Sequence, residues 1–228
     1  MKKLHLLALG AVIMLGLSGC EKATVVSQAT ADAFIKSIKN PKDTSQTVYA
    51  VIHSVFSYNL IASASVVSPD GTTMQLTDFT KQGNSFYNAP ADSTFSSTIP
   101  SIGTYNYTVT FKDGEVLTYS NTLSSSTLLP PSFTSLTKSV HGDSVYIAWN
   151  AVTNAQAYQL KITQGTTQIY YIPPFTIAGT TPRVGFPLSI LLVNVSGTFT
   201  FELDDMLFET TDLTYLQAVG VSKKDIAL

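Results

Sequence analysis

From position 47 onward the chain breaks into short runs in which apolar and polar residues alternate, each bounded by turn chemistry. The clearest is 104–111, where Tyr105, Tyr107, Val109 and Phe111 fall on one side with Thr or Asn between them. A period of two over eight residues predicts a strand with one buried face. Runs at 47–52, 60–67 and 72–76 read the same way, with Ser68-Pro69-Asp70-Gly71 supplying a tight turn. Lys112-Asp113-Gly114-Glu115 turns the 104–111 strand back onto 116–119. A Ser-rich, Pro-Pro stretch at 121–133 then predicts a boundary. Beyond it, 144–149, 156–162, 168–172, 199–203 and 214–221 are further strands. Many short strands without a long 3.6-residue period predict an all-β chain of stacked sandwiches.

An internal repeat supports two units. Gly103-Thr104-Tyr105-Asn106-Tyr107-Thr108-Val109 recurs as Gly197-Thr198-Phe199-Thr200-Phe201-Glu202-Leu203, 94 residues later, the length of one sandwich domain. The expected division is 46–123 and 131–228, with a linker at 124–130. Only 12% of residues are charged, the formal charge is −2, and Arg183 is the single Arg, which removes a basic nucleic-acid face.

The first 20 residues differ in kind. Lys2 and Lys3 precede a 12-residue apolar stretch at 6–17, too short to span a bilayer as a helix. This predicts a signal peptide over 1–19. The ending Leu17-Ser18-Gly19-Cys20 resembles the lipobox of bacterial lipoproteins. That resemblance implies cleavage before Cys20 and a covalent lipid on its sulfur, the only thiol in the chain. A single Cys also rules out an internal disulfide. Without Lys2 and Lys3, 11 basic and 15 acidic side chains remain, so the lipid and not surface charge would hold the membrane. Glu21 beside Lys22 is a poor copy of the acidic surface-export signal of Bacteroidetes lipoproteins, which leaves surface or periplasmic display open. Residues 20–45 are mostly polar and read as a flexible tether with a helical turn at 31–38; about 25 such residues would reach roughly 25–30 Å.

The second unit resembles a fibronectin type III or related immunoglobulin-like domain through Val145-Tyr146-Ile147-Ala148-Trp149-Asn150-Ala151-Val152, then Ala155, Tyr158, Leu160 and Ile162. The resemblance implies that Trp149 fills the core. The Tyr expected early in the sixth strand is Phe199 here, so its corner hydrogen bond would be missing. The first unit shares only the Gly-Thr-Tyr strand.

Candidate chemistry is sparse. His53 and His141 read as a strand-face and a turn residue, with no Gly-x-Ser-x-Gly elbow beside them. Asp204, Asp205, Glu209 and Asp212 form an acidic group after Glu202, whose hard oxygens could bind Ca²⁺; no Asp-x-Asp-x-Asp-Gly loop is present, and a solvated strand end accounts for the charges without a metal. Tyr170, Tyr171 and Phe175, next to Pro173-Pro174, are candidate rings for stacking on sugars or meeting a protein. Phe86 and Tyr87 are a fainter pair, expected in a loop. Asp92-Ser93-Thr94 and Asp143-Ser144-Val145 resemble the O-glycosylation acceptor of exported Bacteroidetes proteins.

The expectation is therefore a cell-envelope, outer-membrane lipoprotein with two tandem immunoglobulin-like/fibronectin type III-like sandwiches. It would carry no cofactor beyond the lipid on Cys20 and would not be an enzyme. It would bind a glycan, similar to accessory lipoproteins of polysaccharide uptake, or act as a spacer or assembly subunit contacting another envelope protein.

Overall fold

The computed structural model describes residues 26–177, 179, 181–190, 197–209 and 215–227. Cys20 and Asp212 lie outside them. The first unit holds β1 (Thr30–Asn40), β2 (Asp43–Phe56), β3 (Ile61–Val67), β4 (Thr73–Asp78), β5 (Ser85–Asn88), β6 (Gly103–Phe111) and β7 (Val116–Leu123). The second holds β8 (Phe133–Lys138), β9 (Ser144–Trp149), β10 (Ala157–Gln164), β11 (Thr167–Phe175), β12 (Arg183–Pro187), β13 (Thr198–Phe208) and β14 (Leu216–Ala227).

Both units are immunoglobulin-like β-sandwiches with the same strand order. In the first, β1-β2-β5 faces β4-β3-β6-β7, and a short β4–β5 pairing joins the two layers. In the second, β8-β9-β12 faces β11-β10-β13-β14. Period-two alternation buries Tyr105, Tyr107, Val109 and Phe111 in one core and Val145, Ile147 and Trp149 in the other. The repeat is structural as well. Gly103 and Gly197 open the equivalent strands β6 and β13 at φ +128° and +133°, a conformation that favours glycine. Tyr105 then donates its hydroxyl proton to the Ser101 carbonyl at 2.7 Å, the corner bond that buried Phe199 cannot make.

Residues 30–40 are not a tether. They form β1, antiparallel to β2 and parallel to β14, with Ile35 opposite Ala218 and Ile38 opposite Val221. The first unit begins at Thr30 and not at 46, and β1 fuses the two sandwiches through one continuous sheet. Ala31, Ala33 and Ile35 face the first core. On the other face Ile38, with Phe34 beside it, joins Met206, Phe208, Val219 and Val221 in a separate apolar cluster at the seam. Apolar residues on both faces are what a strand between two packed bodies requires. The 124–130 segment is docked on the opposite face of β1 from that cluster: Leu128 is buried and its carbonyl accepts a hydrogen bond from Ser37 Oγ at 2.5 Å.

The register also staggers the units. β14 passes Ile38 at Val221 and continues to Ala227, and Phe199, Phe201 and Leu203 of the second core pair with it beyond that point, at Ile226, Lys224 and Ser222. The second unit is thus displaced towards the Asn40 end of β1.

Candidate functional site

The three aromatic candidates on β11 do not form one surface. Successive strand residues face opposite sides. Tyr170 turns inward, its ring centroid 6.0 Å from that of Phe186, and Phe175 packs 6.4 Å from Trp149 and 6.5 Å from Tyr158. Both help close the second core. Tyr171 alone is exposed, on the opposite face, where its hydroxyl donates to Gln159 Oε1 at 3.0 Å. Phe86 and Tyr87 sit on β5 and not in a loop, with Phe86 buried in the first core.

The acidic group is dispersed by the same alternation. Glu202 faces outward between Lys161 at 2.5 Å and Lys223 at 3.1 Å. Asp204 shares that face but is buried, taking one hydrogen bond from Gln159 Nε2 at 3.1 Å. Asp205 points to the other side of β13, fully buried. Glu209 Oε1 accepts from Asn121 Nδ2 and Gln217 Nε2, both at 2.8 Å. Asp204, Asp205 and Glu209 therefore cannot converge on one Ca²⁺, and no group of three metal-ligating side chains occurs among the described residues. Burial, reinforced by the Glu202 charge, pushes Asp204 up to about 7 despite Lys161, Lys36 and Lys223. Burial pushes Asp205 up to about 8, and the Gly220 backbone opposes this only in part. Asp32, at the seam, is raised by burial to about 6 while accepting the Leu216 N–H at 3.0 Å. These are internal acids and not metal ligands.

His53 is equally internal. The Tyr107 hydroxyl has one proton and gives it to the Asp32 carbonyl at 2.7 Å, so it must accept from His53 Nδ1–H at 3.0 Å. Burial lowers His53 to about 4, which keeps it neutral. It is a core residue with a satisfied ring nitrogen, not half of a nucleophile pair.

The outward face of β8-β9-β12 carries a different arrangement. Val145, Ile147 and Trp149 point into the core, so Tyr146 and Ala148 must face out. Tyr146 lies opposite Gly185 on β12 and Thr137 on β8, and Arg183 lies opposite Ala148. A Cβ on Gly185 would fall 2.7 Å from Tyr146 Cδ1 and Cε1, so the ring fills the space that a side chain at 185 would take, with its Cδ1–Cε1 edge nearest the glycine. Tyr146 remains 52% exposed. Arg183 is exposed beside it and forms no ion pair among the described residues. Together with Ser135 and Thr181 these residues line a shallow hollow of about 580 Å³. An exposed aromatic ring packed over a glycine, with an exposed guanidinium on the same face, suits a hydroxyl-rich ligand. Sequence reasoning missed it because no local pattern shows that Tyr146 and Gly185 are neighbours. The one available sign was Gly185 inside an apolar run, which points to close approach of another group to the backbone.

No family model matches the chain, and no curated protein does. Solved structures similar to it include a cytokine receptor complex, 12% identical over 76% of this chain and 90% of that one, with a TM-score of 0.29. The human OSCAR ligand-binding domain is 9% identical over 86% and 98%, with a TM-score of 0.28. The BSP domain of a biofilm-associated protein is 13% identical over 89% of this chain but only 29% of that one, at 0.25. Likeness at this level carries no argument about ligands. The site has to be read from its own chemistry.

Proposed function

We propose that this chain is an exported envelope lipoprotein, anchored through an acylated Cys20, that binds a glycan on the outward face of its second sandwich without catalysing a reaction. The observation that carries the binding reading is the exposed Tyr146 ring packed over Gly185, with exposed Arg183 on the same sheet face. The missing side chain at Gly185 leaves the space that the Tyr146 ring fills, so little freedom is lost when a sugar stacks on it. Arg183 donates to ring hydroxyls and pairs bidentately with the carboxylate of an acidic sugar. In this reading the sugar contact lies on Tyr146 and not on Tyr170 and Phe175, which pack in the core. A spacer or assembly role is the second reading, favoured by the rigid β1–β14 fusion.

In affinity electrophoresis against a polysaccharide panel, the chain from Glu21 should be retarded by at least one glycan. Tyr146→Ala should weaken that retardation about tenfold, a loss of ~1.4 kcal/mol, with the thermal midpoint nearly unchanged. Retardation unaffected by Tyr146→Ala removes this site. No retardation across the panel favours the spacer. For the anchor, Cys20→Ala should move the protein from the detergent phase to the aqueous phase in a two-phase partition. A variant that stays in the detergent phase refutes lipidation at Cys20.

A further inference from the structure

The loops at the Thr30 end of the first sandwich carry a cluster of exposed apolar side chains. Tyr58 is 95% exposed and Phe79 75%, with Leu60 and Phe56 also open to solvent. Phe56 ends β2, Tyr58 and Leu60 come from the 57–60 loop between β2 and β3, and Phe79 opens the 79–84 loop between β4 and β5. Backbone bonds tie these loops together: Ser57 N–H to Asn84 O at 3.0 Å, Ile61 N–H to Gly83 O at 2.6 Å, and Lys112 N–H to Leu60 O at 2.8 Å. The Phe56 and Tyr58 rings meet edge to face at 5.1 Å, so the tip is fixed and not a loose loop.

The start of the described chain is fastened to the same tip. Ser57 Oγ donates to Gln28 O at 2.5 Å, Ser27 Oγ to Asp113 Oδ2 at 3.1 Å, and Gln28 N–H to Asn59 Oδ1 at 3.4 Å. Val26 is itself exposed there. Six residue steps separate Cys20 from Val26, which cannot span more than about 20 Å even fully extended. A 25-residue tether would have let the domain float. With residues 27–40 fixed in the fold, an anchor at Cys20 holds this end against the bilayer surface.

We propose that the tip formed by Phe56, Tyr58, Leu60 and Phe79 docks into the interfacial layer of the membrane that anchors the chain. This inference rests on the lipidation of Cys20 proposed above. The occupant follows from where the chain starts: the aromatic end is the one that the short anchor segment keeps at the lipid. Tyr and Phe side chains fit the headgroup level, with an apolar body below and, for Tyr58, a hydroxyl above. Lys81 and Lys112 at this end are outnumbered by Asp78, Asp113 and Glu115, so no net positive charge draws it to anionic lipid and docking is apolar. The stagger of the sheet then holds the second sandwich, with Tyr146, on the side away from the membrane.

The test couples the chain beginning at Cys20 through that thiol, the only one in the sequence, to a maleimide lipid in phosphatidylcholine vesicles with brominated acyl chains. Chemical coupling supplies the anchor whether or not cells acylate Cys20, so failure of docking is separated from failure of lipidation. A Tyr58→Trp reporter should shift to the blue and lose about half its emission relative to plain vesicles. Native Trp149, fully buried, gives a constant background. Val140→Trp, at a fully exposed turn of the second sandwich, should be unquenched. Adding Phe79→Ser and Leu60→Ser should relieve the quenching of the Tyr58→Trp reporter. The proposal is overturned if Tyr58→Trp emits equally in both vesicles, or if Val140→Trp is quenched as strongly. It is also overturned if the serine changes leave quenching intact.

Discussion

Gly220→Ala is expected to destabilise the folded chain by about 3 kcal/mol, at the upper end of ordinary overpacking costs. Gly220 sits in β14 between Asp205 of β13 and Ser37 of β1, at the point where the two sandwiches share their sheet. A Cβ there would lie 2.2 Å from Asp205 Oδ1 and 2.8 Å from the Leu129 carbonyl. Neither neighbour can swing aside. Asp205 is fully enclosed, and the Leu129 backbone is pinned by the Ser37–Leu128 hydrogen bond. Relief must come from parting β14 from β1 or lifting the inter-unit segment, and parting the strands also disturbs the apolar cluster around Val219 and Val221 on the opposite face of β14. Urea unfolding should show the lower midpoint. Asp205→Ala in the Gly220→Ala background should recover stability, with a coupling of ~1 kcal/mol or more in a double-mutant cycle. A loss below about 1 kcal/mol for Gly220→Ala, within the range of an ordinary surface change, would mean that the seam yields easily and does not lock the units together.

The second large effect is a stability that falls as pH rises. Burial holds Asp32, Asp204 and Asp205 protonated up to about 6, about 7 and about 8 respectively. In the unfolded chain the same groups release their protons at about 4. Between these limits the folded state binds more protons, so stability declines through the window and levels off above about 8. Buried neutral His53, lowered to about 4, runs the other way. Its contribution is complete above about 6.5 and is lost as pH falls towards 4, offsetting one of the three acids in that range. Each uncompensated proton changes stability by ~1.4 kcal/mol per pH unit. Summed over the three acids and offset by His53, stability should fall by about 6 kcal/mol between pH 5 and 8, roughly 15–20 °C in Tm. Asp205→Asn keeps the shape without the ionisation and should flatten the profile between pH 7 and 8. A midpoint that rises steadily from pH 5 to 8 would show that these carboxyls ionise without cost inside the fold.

The sequence by itself determined the strands whose two faces meet different surroundings. Tyr105, Tyr107, Val109 and Phe111 alternate with polar residues because one side meets the core and the other meets water, and 144–149 reads as a strand for the same reason. The Gly-Thr-aromatic repeat marked the equivalent strands β6 and β13. β1 escaped this reading because both of its faces are covered: Ala33 and Ile35 pack on one side and Phe34 and Ile38 on the other, which erases the alternation and imitates a helix. The tertiary structure alone decided which candidates could act. Pairing registers, which depend on residues far apart in the chain, placed Tyr146 on Gly185 and Asp205 over Gly220. The same registers sent Tyr170 and Phe175 into the core and left Asp204 and Asp205 on opposite faces. Composition and spacing name the groups that could do chemistry, while only strand pairing fixes which of them face each other, which face water and which are sealed inside.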